Sequence, residues 1–390
     1  MNEKLTVKNF GPIKDAELDL KKVTVFIGPQ GSGKSALAKL VAICKDSEFL
    51  VMSHIGNRIQ TMSFFEKYET QYFLEDLSFQ FENSECNFWY RYDPFTFNFE
   101  PKKPISRHFF VGENPMFPDF ESYKDLIRQK PFSEYDLIPL KKYFATIVKN
   151  HVKYIPTDRL MLSSVSDSLL SLLSADVSLK KSFIDFGRDF EIARKNIPRL
   201  NIDFLDVQYV FQDSINYVIN KTGGRMLPLS ASSSGQQSVI PLQLVVEHFT
   251  KKLNITTIVE EPELNLFPNA QTALIGSLVS KCTNSENELL MTTHSPYVLS
   301  AINNLIFAYK VAHEVPEKAD EVAKVIPREQ WLNPEDVAAY YVADGTVKSI
   351  IHEGEGLIGE NELDAISEDI SGERDLLFKI LRSKKRETVH

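Results

Sequence analysis

Three cysteines in 390 residues, none in a C-x-x-C pair, leave Cys44, Cys86 and Cys282 without a disulfide framework or a zinc site. The chain therefore has to fold on its apolar core, and a reducing, cytoplasmic setting fits. Basic charge is also short. With 44 Lys and Arg against 53 Asp and Glu, the net charge of −9 argues against a generic electrostatic nucleic-acid binder, leaving only a local basic groove for DNA. No stretch reaches the roughly 20 apolar residues that span a bilayer. The opening MNEKLTVKNFGPIKDAELDL alternates charge with apolar residues and lacks a signal-peptide core, so neither export by such a signal nor membrane integration is expected. Nor is there a sequence period of roughly 20 to 50 residues, which excludes a repeat solenoid.

Apolar residues at 43% and charged residues at 25% describe an ordinary globular chain, long enough for two or three structural units. Residues 4–10 and 23–27 (VTVFI) read as strands, the second an unbroken apolar run of the buried, central kind. After it, ALAKLVAICK places Leu37, Leu40, Val41 and Cys44 at helical spacing. Residues 60–115 are rich in aromatics whose alternation predicts paired strands of a side sheet. From 140 to 220 the pattern reads as mainly helical, without heptads sustained enough for a long coiled coil. Strand and helix signals resume near residue 225. The end of the chain is amphipathic and closes on a basic run, Arg382 to Arg386.

Between the buried strand and the helix stands Gly28-Pro29-Gln30-Gly31-Ser32-Gly33-Lys34-Ser35, followed by Ala36. This is the pattern of a phosphate-binding loop, in which backbone N–H groups at a helix start surround phosphate oxygens. Lys34 is expected to reach the β- and γ-phosphates of ATP, and the Ser35 hydroxyl to ligate Mg²⁺. Residues 255–259 (ITTIV) form a strand ending in Glu260-Glu261. There the first acid is placed for the Mg²⁺ shell and the second for polarising the attacking water. A third strand, 288–293, leads into His294, at the end of a sheet strand where nucleotide sites lie. Ser233-Ser234-Gly235-Gln236 opens a helix whose apolar residues fall at 239, 242, 245, 246 and 249, and its free N–H groups make a second anion site.

In this order, the four elements resemble the head of ABC-type ATPases, an AAA-family ATPase of the branch that includes RecF, the structural-maintenance-of-chromosomes (SMC) proteins and the overcoming-lysogenisation-defect (OLD) proteins. The resemblance covers residues 1–45 and 225–310. It implies a P-loop α/β head, with Gly28 to Ser35 as Walker A, Ser233 to Gln236 as the signature, Glu260-Glu261 as the end of Walker B and His294 as the switch histidine. It makes Lys34, Glu261 and His294 the catalytic set. YIPTDR, Tyr154 to Arg159, resembles an OLD-like segment, and Gln80 is the candidate for the glutamine loop. The chain departs from the pattern at Ser234, often Gly, at Glu260, commonly Asp, and at Phe267-Pro268, commonly His-Pro.

Four segments follow: a head part at 1–45, an insertion at 46–224 with an aromatic β-arm and then a helical lobe, the rest of the head at 225–345, and a tail at 346–390. The resemblance further implies that ATP is held between two heads of a homodimer or higher even oligomer. No acidic nuclease (TOPRIM) module follows His294, so the expected role is an ATP-driven switch for a separate nuclease or toxin in an anti-phage complex. A DNA-repair or chromosome-maintenance ATPase acting on DNA, and an ATP-binding scaffold with little turnover, are the alternatives.

Overall fold

The computed structural model describes residues 3–71, 76–102, 141, 144, 151–165, 179–252 and 254–359. In chain order its strands are β1 (Glu3–Phe10), β2 (Ile13–Leu20), β3 (Val23–Ile27), β4 (Ser78–Glu82), β5 (Cys86–Arg91), β6 (Thr96–Pro101), β7 (His151–Ile155), β8 (Arg199–Ile202), β9 (Val207–Gln212), β10 (Ile215–Asn220), β11 (Met226–Pro228), β12 (Ile255–Glu260), β13 (Glu288–Thr293), β14 (Val337–Ala343) and β15 (Thr346–Ser349). Its main helices are α1 (Lys34–Cys44), α2 (Ser47–His54), α3 (Arg58–Lys67), α4 (Lys181–Asn196), α5 (Ser234–Phe249), α6 (Pro268–Cys282), α7 (Pro296–Glu314) and α8 (Ala319–Val325).

The central sheet has the order β15-β14-β3-β13-β12-β7. All its pairings are parallel except that of the edge strand β15. Every residue of β3, β12 and β13 is buried, as expected of strands covered by helices on both faces. Their register aligns Ile27 with Thr293 and Glu260 with Thr292, so three chain segments leave the same sheet edge side by side. That edge, at the carboxyl ends of the strands, is where ligands bind in such sheets.

A second, antiparallel sheet, β2-β1-β4-β5-β6, closes one side of the molecule. Its inner face carries Leu5, Val7, Phe79, Phe81, Phe88 and Tyr90 against α1 to α3, where Phe49 contacts Phe64, Phe65, Phe79 and Tyr90. The aromatic stretch thus forms strands only from Ser78 onward. Residues Arg58 to Lys67 are helical, with Asn57 capping the start through Gln60 N.

The mainly helical reading of 140–220 is corrected in two places. Residues 151–155 form β7 on the edge of the central sheet, and residues 199–228 form a four-stranded antiparallel sheet, β11-β10-β9-β8, beside α4. Asp206, Asp213 and Ser214 adopt positive φ at its turns, a conformation that short polar residues tolerate and helical periodicity does not reveal. At the other end of the chain, Thr346–Ser349, the start of the segment 346–390, is a strand, and the basic run Arg382 to Arg386 lies outside the described residues. Among the described residues no helix is long and apolar enough to cross a membrane.

Candidate functional site

The loop from Gly28 to Gly33 turns sharply between β3 and α1 because its glycines go where other residues cannot. Gly28 has φ +154° and packs on the β14 backbone, where a Cβ would lie 2.2 Å from the Val342 carbonyl oxygen. Gly33, at φ +108°, caps α1, and a Cβ there would meet Ile13 Cδ1 at 2.6 Å. The first-turn N–H groups of α1 have no intrahelical partner, and no side chain caps them. Lys34 is buried, and its ammonium donates to the carbonyls of Gly28 at 2.9 Å and Pro29 at 2.7 Å. Burial pulls its pKa down to about 8, opposed by the charges of Glu261 and Glu263.

The acids and the histidine converge on this lysine. Glu261 N donates to Thr292 O at 2.9 Å, which pins the end of β12 to β13 with Glu261 at φ +43°, a strained conformation for a non-glycine residue. In that turn Glu261 Oε1 lies 3.0 Å from His294 Nε2, while His294 Nδ1 lies 3.4 Å from Lys34 Nζ. One tautomer satisfies both contacts: Nδ1 accepts from Lys34 and Nε2–H donates to Glu261. Glu263 holds the histidine in place from behind, since its Oε1 accepts from His294 N at 2.8 Å and Thr293 Oγ1 at 2.7 Å.

Glu260 is buried, and its Oε2 is 3.4 Å from Thr157 N, while Oε1 has no hydrogen-bond partner. Tyr154 stands close by, its phenol buried and without a well-formed hydrogen bond. Burial, with the Glu260 charge adding to it, pushes its phenol well up. The signature residues Ser233 and Ser234 are exposed, and Ser233 forms a capping box with Gln236 at the start of α5. Gly235 is required beneath them, because a Cβ would sit 2.8 Å from Asn265 O. No hydrogen bond joins this helix start to the phosphate loop. Gln80 donates to Asn87 within the side sheet and contacts none of these residues. Phe267, at the departure from His-Pro, is 78% exposed at the start of α6.

Three residues outside the sequence-derived set complete the geometry: Glu263, Ser238 and Arg159. Glu263 is visible in the sequence only as a third acid after Glu260-Glu261. Arg159 closes the YIPTDR segment, and its guanidinium is fully buried against Pro156 O, Glu260 O, Glu261 O and Ser238 Oγ. Burial lowers its pKa to about 10, opposed by Glu263, Glu260 and Glu261.

The residues present fit a nucleotide phosphate with Mg²⁺. Buried Ser32 Oγ and Glu260 Oε1 are both left without partners, and unpaired buried oxygens are costly unless a ligand completes them. Among the described residues no group of three or more His, Cys, Asp or Glu could hold a metal by itself. Glu260 and Ser35 would supply only part of a coordination sphere, which suits a Mg²⁺ shared with phosphates.

The fold is similar to that of the Smc head bound to the C-terminal winged-helix domain of ScpA, at 11% identity over 89% of this chain and 96% of that one, with a TM-score of 0.43. An SMC head domain from Thermotoga maritima is 13% identical over 90% of this chain and 100% of that one, with a TM-score of 0.39. The Smc head domain with an extended coiled coil, bound to the C-terminal domain of ScpA derived from Pyrococcus furiosus, is 12% identical over 94% and 98%, with a TM-score of 0.36. No curated protein matches the chain. The AAA_15 family model, described as an AAA ATPase domain, matches residues 1–201 and 162–299. These matches contain the phosphate loop, Glu260-Glu261 and His294 and span more than half of the sequence, so the chain belongs to the AAA_15 family of ATPase domains, with a P-loop α/β head.

Proposed function

We propose that this chain is a Mg²⁺-dependent ATPase of the OLD-like branch, a switch subunit that pairs with a second copy around ATP and controls a separate effector, a nuclease or toxin, in an anti-phage complex. The observation that carries the ATPase reading is the chain of contacts Lys34–His294–Glu261 at the carboxyl edge of the central sheet, with the unpartnered Glu260 Oε1 beside it.

Mg²⁺, when bound, supplies charge neutralisation on the phosphates, and Glu260 and Ser35 are the residues to hold it. Lys34 leaves the carbonyls of Gly28 and Pro29 for the phosphates, exchanging neutral acceptors for charged ones. Glu261 then accepts a proton from the attacking water, and His294, oriented by Glu263, donates from Nε2 to the charge that develops.

The dimer follows from the signature. Ser233 and Ser234 are exposed and present their hydroxyls to solvent at the α5 start, without a hydrogen bond to the chain's own phosphate loop. Their anion-binding chemistry suits a nucleotide held by a second copy. The effector role rests on the OLD-like resemblance of the motifs, YIPTDR among them.

Purified protein should bind and hydrolyse ATP only with Mg²⁺. Lys34→Ala should abolish binding, and Glu261→Gln should keep binding while losing turnover by about 100-fold or more. Wild-type protein that neither binds nor hydrolyses ATP would end this reading. A mass measurement on the natively purified complex, with and without ATP, tests for the effector.

A further inference from the structure

We propose that Arg159 is a positioning residue that makes hydrolysis by this chain depend on its own signature helix, by tying the second turn of α5 to the backbone that carries Glu261. The inference rests on the ATPase reading above. It concerns how the second anion site of one chain is connected to the catalytic acid of that same chain.

Arg159 spends its donors unusually. Nε donates to Ser238 Oγ at 3.1 Å, Nη1 to Glu260 O at 2.6 Å and to Pro156 O at 3.1 Å, and Nη2 to Glu261 O at 2.5 Å. No carboxylate is directly paired with it, although three acids stand nearby. A guanidinium with no exposed surface is expensive to bury. Its planar fork can fix two successive carbonyls at once, which a lysine cannot do. The carbonyls it fixes belong to Glu260 and Glu261, and Glu261 has the strained φ of +43° that brings its carboxylate to His294. The fourth contact leads elsewhere. Ser238 is buried and lies one helical turn after Ser234 and Gly235, so a shift or rotation at the α5 start moves the hydroxyl that Nε holds.

The segment around Arg159 grips both sides independently. Thr157 N reaches Glu260 Oε2. Ser163 Oγ donates to Gln237 Oε1 at 2.6 Å, and Gln237 Nε2 donates to the carbonyls of Ser230 and Ser232, inside the loop that presents the signature. Residues 157–163 thus form a brace between the signature and the end of β12, with Arg159 as its only residue bonded to both.

Ser238→Ala cuts only the signature side of the brace. Turnover and mass should be measured together across a range of protein concentrations, with saturating ATP and Mg²⁺. Wild-type turnover per chain should rise as the dimer fraction rises. The Ser238→Ala chain should bind ATP within about twofold of wild type and form the dimer, yet its turnover should stay at the low-concentration level, about tenfold below wild type at full dimer. Arg159→Lys should show the same separation, and Arg159→Lys with Ser238→Ala should be no worse than Arg159→Lys alone. If Ser238→Ala turnover climbs with the dimer fraction as wild type does, the proposal is overturned. It is equally overturned if Ser238→Ala loses ATP binding or dimerisation, since the brace would then serve assembly. Should Arg159→Lys fail to fold, Ser238→Ala decides. Failure of the ATPase reading looks different: wild-type protein would show no turnover at any concentration.

Discussion

Lys34 sits in the molecule with its charge half committed. Its ammonium is held by two carbonyls and a histidine nitrogen, and burial brings its pKa to about 8, below the ordinary lysine value of 10.5. Between these values the unfolded chain binds more protons than this folded conformation, so stability without nucleotide should rise with pH across that window. ATP binding should respond in the opposite sense. The phosphates need the ammonium, so above pH 8 binding takes up a proton and weakens as pH rises. Calorimetry in buffers of different ionisation heat should show uptake near zero at pH 7 and approaching one proton at about pH 9. Glu263 gives a second test. Glu263→Ala leaves Thr293 Oγ1 and His294 N without their acceptor and should cost about 1–3 kcal/mol of stability together with most of the turnover, whereas Glu263→Gln should retain both in large part. Thermal unfolding and steady-state rates on the two variants check this. At this scale the sequence shows Lys34, Glu260, Glu261 and His294, because each stands at a fixed offset from a strand end. It shows Arg159 only as the end of YIPTDR and not its hold on Glu260 and Glu261, about a hundred residues on, which runs through their carbonyls, and carbonyls carry no sequence signal.

Among elements, those that carry chemistry are the most legible. β3, β12 and β13 read as unbroken apolar runs because they are covered on both faces, and the helical period of α5 is matched by burial at Val239, Leu242, Val245, Val246 and Phe249. The small sheet β8 to β11 was not legible, for its strands are three to six residues long and follow directly on a strongly helical segment. Helix α3 was hidden by its aromatics, which are there to pack on Phe49 rather than to pair across strands. A joint between elements also escapes sequence reading. Lys45, at the end of α1, pairs with Glu3 of β1 at 2.5 Å and with Glu288 of β13, all three buried. Burial alone would lower the lysine, but Glu288 and Glu3 outweigh it and raise its pKa. Its contribution to stability is therefore complete below the ordinary lysine value and is lost only as pH rises through the folded one. Lys45→Met should leave two carboxylates facing each other in the core and cost about 3–5 kcal/mol, read as a lowered denaturation midpoint.

In the whole molecule the four motifs fall at two separate places. The phosphate loop, the two acids and the histidine meet at one edge, while the signature residues stand exposed at another helix start with no bond to them. Composition gave no hint of this division, and the resemblance of the motifs did. The direct test is the mass of the Glu261→Gln chain in solution, measured by light scattering with Mg²⁺, with and without saturating ATP. The account predicts a single-chain mass without ATP and twice that mass with it, and a return to the single chain when Lys34→Ala is added. A Glu261→Gln chain that binds ATP and keeps one mass throughout would contradict it.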